Sequence, residues 1–139
     1  MRTFGGFLFL NTLYLQDVRG LSPLEAGLGW IVKLDKGAPF VGDAALRSQK
    51  QRGVTRRLVG FRLEGRGFPR HGYPVFYEGR EVDLVRSGTL SPSLGIPIGM
   101  CYVPTPNAKP GSGVEIDIRG KLVKAEVVKT PFYKGGSHL

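Results

Sequence analysis

Cys101 is the only thiol, and His71 and His138 the only imidazoles, in this chain of 139 residues. A single thiol excludes a disulfide framework and any multi-thiolate metal site, and two histidines leave no Cys/His cluster of zinc spacing. Long apolar runs are also missing. The longest, Phe4–Leu15, is interrupted by Asn11 and Thr12, well short of the roughly 20 apolar residues a spanning helix needs. After it, Gln16-Asp17-Val18-Arg19 offers no small-residue cleavage site for a signal peptide. A membrane partner is therefore not expected, and the chain is expected to be cytoplasmic. Acidic residues are few, 11 against 20 Lys plus Arg, for a net charge of +9. That surplus favours an anionic partner. What is plentiful is glycine and proline, 21 and 10 residues, more than long helices tolerate and suited to strands joined by tight turns. With 41% of its residues apolar, the chain has material for a core.

Three stretches follow one another. Residues 1–21 form an apolar amino-terminal segment. Three readings stay open for it: an appended piece, a buried part of a soluble fold, or an anchor. Residues 22–55 read as a helical linker. Ser22-Pro23-Leu24-Glu25 has the spacing of a capping box with proline at the first helical position, and Gly27 and Gly29 limit that helix to a turn or two. A second short helix is predicted from Asp43 to about Gln51, with Gly53 beyond its end. Residues 56–139 read as β. Leu58–Leu63 alternates, with Val59, Phe61 and Leu63 on one face. Tyr73–Tyr77 and Glu81–Val85 flank a turn at Glu78-Gly79-Arg80, Ile98–Val103 is a further strand, and Val114–Ile118 turns at Arg119-Gly120 into Leu122–Lys129. The predicted class is mostly β: a small antiparallel six-stranded barrel, Greek-key or jelly-roll-like, preceded by two short helices.

No nucleophile–base–acid set is visible. Cys101 lies within an apolar strand and reads as a buried, inert thiol. His71 has no carboxylate two or three residues away and reads as a loop hydrogen-bonder. Gly65-Arg66-Gly67 lacks the Lys-Ser/Thr pair of a phosphate-binding loop. Arg47, Lys50, Arg52, Arg56 and Arg57 form a basic segment that is either a solvated face or an anion-facing patch. Aromatics such as Phe68, Tyr73, Phe76 and Tyr77 allow stacking. A basic small-barrel nucleic-acid-binding module is the alternative function these features leave open.

Longer words in the sequence carry a resemblance. Ser22 to Trp30 (SPLEAGLGW), Val32 to Gly37, Phe40-Val41-Gly42, Leu58 to Phe61, Pro69 to Val75 (PRHGYPV), Ser87 to Gly95 (SGTLSPSLG), Tyr102-Val103-Pro104 and Pro131-Phe132-Tyr133 together resemble the glycine cleavage system T protein, the tetrahydrofolate-dependent aminomethyltransferase. The first part, FLFLNTLYLQDVRGLSPLEAGL, resembles a segment of major facilitator superfamily efflux transporters. The T-protein resemblance implies a carboxy-terminal fragment whose barrel shapes a tunnel for folate and a lipoyl arm. Its catalytic aspartate and pterin-contacting glutamate would lie in an amino-terminal folate-binding domain, so no catalytic residue is assigned here. The resemblance further implies tetrahydrofolate as substrate, no metal, and a lipoylated H protein and the folate-binding domain as partners, with no nucleic acid. Arg70 is the residue it carries over first, as a carboxylate binder on the folate side, followed by Tyr133 and Lys134. Ser87, Gly88 and Thr89 would form a tunnel loop, and Arg47, Lys50, Arg52, Arg56 and Arg57 a docking patch for the acidic carrier.

Overall fold

The computed structural model describes residues 22–135 except 30, 33 and 36. The readings made on residues 1–21 and on His138 lie outside them. The described residues fall into two compact units, divided between Arg57 and Leu58.

In the first unit the capping box forms as the spacing predicts. The Ser22 N–H donates to the Glu25 carboxylate and the Glu25 N–H donates to the Ser22 hydroxyl, both at 3.1 Å. The backbone then makes only single turns, with bonds from Ala26 N to Ser22 O and from Leu28 N to Pro23 O. The first of the two expected helices is thus a capped turn. Gly27, at φ 74°, takes the chain out of helical space before a second turn can add its bonds. The one α-helix among the described residues is α1, Asp43–Arg52, and it buries none of its side chains.

Seven strands follow, one more than predicted: β1 Arg56–Leu63, β2 Pro74–Tyr77, β3 Arg80–Leu84, β4 Ser87–Leu90, β5 Pro97–Pro104, β6 Gly113–Ile118 and β7 Lys121–Val128. The added strand is β4. Its Ser87-Gly88-Thr89 lacks the apolar alternation by which strands are read, yet it pairs with β5 (Ser87 with Met100, Gly88 with Gly99, Thr89 with Ile98). These residues are therefore strand, and the loop expected there is not present. Cross-strand bonding decides the structure where side-chain pattern is silent.

The sheet runs β3-β2-β6-β7-β1-β5-β4. Its two outer strands, β3 and β4, are consecutive in the chain, so the sheet curls back on itself into an antiparallel barrel. The β2–β3 and β6–β7 hairpins use two-residue turns with positive φ at both positions, Glu78-Gly79 at 50° and 76° and Arg119-Gly120 at 56° and 85°. That sign matches the twist of the flanking strands. Val59, Phe61 and Leu63 point inward together, with Val75, Ile116, Val103 and Val127 among the buried side chains they meet.

Candidate functional site

At the seam between β3 and β5 lies a buried ion pair. Asp83, whose side chain is 4% exposed, binds the Arg86 guanidinium through both carboxylate oxygens. Its Oδ2 also accepts from the Tyr102 backbone N–H at 2.8 Å. Arg86 stacks over the Tyr102 ring at 5.6 Å from its centroid, and the hydrogen bonds to Asp83 hold its pKa above the usual value. The Arg86 N–H donates to the Met100 carbonyl at 2.8 Å. The seam is thus tied by side chain and main chain together.

Cys101, on β5 beside this pair, is fully buried, as expected. Burial pushes its thiol up to about 12, with Asp83 adding to the rise and Arg86 opposing it. The folded protein therefore holds this proton more tightly than the unfolded chain, in which a thiol titrates near ~8.5. The resulting stabilisation is intact below that pH and is lost as pH rises towards the folded value. Denaturant unfolding is expected to show stability falling above about pH 9, with a shallower fall in Cys101→Ala. Identical slopes for the two proteins would show that the thiol does not couple to folding.

Beyond the seam, two open depressions flank β4. One, of about 250 Å³, is lined by Phe68, Pro69, Arg70, Gly88, Thr89 and Leu90. The other, of about 210 Å³, is lined by Ser87, Gly88, Thr89, Ile98, Gly99, Met100 and Phe132. The Phe68–Arg70 segment lies directly on β4, because a Cβ on Gly88 would stand 2.5 Å from the Pro69 carbonyl oxygen. Arg70 is exposed beside half-exposed Phe68 and Leu90. Arg70 and the Gly88-Thr89 pair, singled out separately in the sequence, thus share one concavity. Tyr133 and Lys134 are exposed and line neither depression; their neighbour Phe132 lines the second.

The basic segment divides by pairing. Arg47 binds Asp43 with its Nε at 2.9 Å and donates to the Leu34 carbonyl. Arg56 lies 3.9 Å from Glu25. Lys50, Arg52 and Arg57 are exposed. Among the described residues no group of three His, Cys, Asp or Glu side chains is placed to hold a metal ion. No described helix is long and apolar enough to cross a membrane.

Sequence reasoning missed Asp83, Arg86, Leu90 and Phe132, whereas Phe68 was singled out as a stacking aromatic. For Asp83 a signal was present: it shares strand parity with Val85, so a carboxylate stands at an inward position, with an arginine three residues on.

The family described as glycine cleavage T-protein C-terminal barrel domain matches residues 56–134. The chain is 50% identical over 126 residues to an aminomethyltransferase of Nostoc sp., covering 90% of this chain and 34% of the relative. It is 51% identical over 123 residues to an aminomethyltransferase of Listeria welshimeri, covering 88% and 34%. The crystal structure of glycine cleavage system aminomethyltransferase T from Bartonella henselae matches with a TM-score of 0.75 at 33% identity, over 81% of this chain and 32% of that one. The chain spans about a third of the length of the curated relatives it matches. With its seven-stranded antiparallel sheet and a family match over all seven strands, the chain belongs to the glycine cleavage T-protein C-terminal barrel domain family.

Proposed function

We propose that this chain works as the carboxy-terminal barrel of a tetrahydrofolate-dependent aminomethyltransferase of the glycine cleavage system. Its part in the reaction is to bind and orient. The observation that carries this reading is the Arg70 depression, in which a guanidinium stands beside exposed apolar surface from Phe68 and Leu90. A planar donor fork next to a hydrocarbon wall suits a carboxylate on a methylene stem. The glutamate end of a folate has that form, and so does a carboxylate of the folate-binding domain. The depression is open and suits such a tail rather than the pterin ring, which leaves the ring to the folate-binding domain. Exposed Tyr133 and Lys134 would extend the folate-side contact, and Ser87, Gly88 and Thr89 would wall the tunnel as a strand.

Aminomethyl transfer to tetrahydrofolate depends on holding two substrates in register. The test mixes this chain with a separately produced amino-terminal portion of a related aminomethyltransferase, aminomethyl-loaded lipoyl H protein and tetrahydrofolate. Transfer is expected only when both protein pieces are present. Arg70→Ala should reduce it roughly tenfold or more, the scale of one charge-assisted hydrogen-bonded contact, with no loss of thermal stability. No transfer with both pieces, or an unimpaired Arg70→Ala, overturns the reading.

The lipoyl carrier is the proposed partner of the basic segment, through Lys50, Arg52 and Arg57, which are exposed. Arg47 and Arg56 already have carboxylates beside them. Arg52→Glu with Arg57→Glu is expected to weaken carrier docking at low salt, the difference fading as salt screens it. Equal affinities at low salt would remove the idea. A cytoplasmic location goes with this reading.

A further inference from the structure

We propose that His71 is a positioning residue for Arg70, and that it acts through the main chain of the seam. This rests on the carboxylate-binding reading of Arg70. The His71 Nδ1 lies 2.8 Å from the Arg86 carbonyl oxygen. A carbonyl only accepts, so Nδ1 carries the proton and donates. His71 is also the second residue of a turn, Arg70 to Tyr73, closed by the Tyr73 N–H on the Arg70 carbonyl at 3.2 Å. The third residue, Gly72, sits at φ 89°, which a type II turn requires and which glycine reaches without steric cost. From the turn, the Gly72 N–H donates to the Val85 carbonyl at 2.9 Å, and the Val85 N–H returns to the Tyr73 carbonyl at 2.8 Å.

Ahead of the turn, Pro69 is fully buried. Arg70 therefore leaves the barrel from a backbone fixed on both sides, while its own side chain stays exposed. Residues 85 and 86, which receive the turn, are held in their turn by the Asp83–Arg86 pair and by the bond from Arg86 N to Met100 O. The His71 ring joins the Arg70 turn to the seam by a side-chain bond, His71 Nδ1 to the Arg86 carbonyl. Fixing the base of a long side chain before it meets its ligand lowers the ordering cost of binding.

The test uses the full 139-residue chain with pentaglutamate as the carboxylate probe. Binding is followed by titration, the turn by the backbone amide NMR signals of Gly72 and Tyr73, and folding by thermal melting. Arg70→Ala is expected to abolish binding. His71→Ala should weaken binding roughly three- to tenfold, the scale of one hydrogen bond, broaden the Gly72 and Tyr73 signals, and leave melting unchanged. His71→Asn, whose amide N–H can take the place of Nδ1, should restore both binding and signals. If His71→Ala binds like the parent while Arg70→Ala does not, the inference about His71 fails and the Arg70 reading stands. If His71→Asn is as impaired as His71→Ala, the bond to the Arg86 carbonyl is not what matters and the inference also fails. A parent chain that does not bind, or an Arg70→Ala that binds unchanged, overturns the Arg70 reading and the His71 inference with it.

Discussion

Asp83→Ala is expected to lower the unfolding free energy by roughly 3–5 kcal/mol, the range found when one partner of a buried ion pair is removed. Three groups lose their acceptor at once: the two guanidinium nitrogens of Arg86 and the Tyr102 backbone N–H. Arg86 is about a quarter exposed, so water reaches it and the cost should fall at the lower end of the range. The Tyr102 amide is within a residue that is 3% exposed, and an unsatisfied buried donor costs about 1–3 kcal/mol by itself. For a domain of this size each kcal/mol moves the melting temperature by about 4–8 °C. Asp83→Asn keeps an oxygen for the Tyr102 N–H and removes the charge, and is expected to be clearly milder. Adding Arg86→Met to Asp83→Ala should recover part of the loss, because it removes the stranded charge and leaves only the amide. Calorimetry on the four proteins decides it. A loss below about 1 kcal/mol for Asp83→Ala would mean that water replaces the carboxylate and that the seam is held by its backbone bonds alone.

The seam also shows where sequence reading stops. Strand positions were legible wherever an apolar residue recurs at every second place, as in Val59, Phe61 and Leu63, or in Val114 and Ile116. The two hairpin turns and the capping box at Ser22 and Glu25 were legible because their chemistry is local, within three residues. Strand β4 was not, since Ser87-Gly88-Thr89 is made a strand by β5, which lies about ten residues away and supplies the cross-strand bonds. The short helix expected after that cap is only a capped turn: Gly27 and Gly29, legible in the sequence as limiting it, stop it there. At the site, Arg70 and Thr89 could be picked out one at a time. That they share a concavity depends on Pro69 lying against Gly88, a contact between segments with no common pattern. Asp83 and Arg86 were passed over because a charged pair three residues apart on a β segment looks like ordinary surface until the strand's inward parity is counted.

Gly99 makes the second large prediction, and it joins the core to the site. A Cβ there would stand 2.4 Å from the Phe61 Cζ and 2.9 Å from the Ser87 carbonyl oxygen. Phe61 is fully buried and has nowhere to retreat. Gly99→Ala is therefore expected to cost about 1–3 kcal/mol through overpacking, and Phe61→Ala about 3–5 kcal/mol through the cavity it leaves. Together they should cost clearly less than the sum, by about 1 kcal/mol or more, since the added methyl enters the space the ring vacates. Full relief is not expected, because the Ser87 carbonyl belongs to the backbone of β4 and cannot swing away. Its displacement has a second consequence. Gly99 pairs with Gly88, and Gly88 is where the Pro69 carbonyl rests. Pushing β4 outward should move Pro69 and the base of Arg70, so Gly99→Ala should shift the amide signals of Gly88 and Thr89 even at temperatures where the protein is fully folded. Strict additivity of the two stability losses would show that the ring does not occupy the Gly99 space. Unshifted Gly88 and Thr89 signals would show that the core absorbs the methyl without disturbing the strand that carries the site.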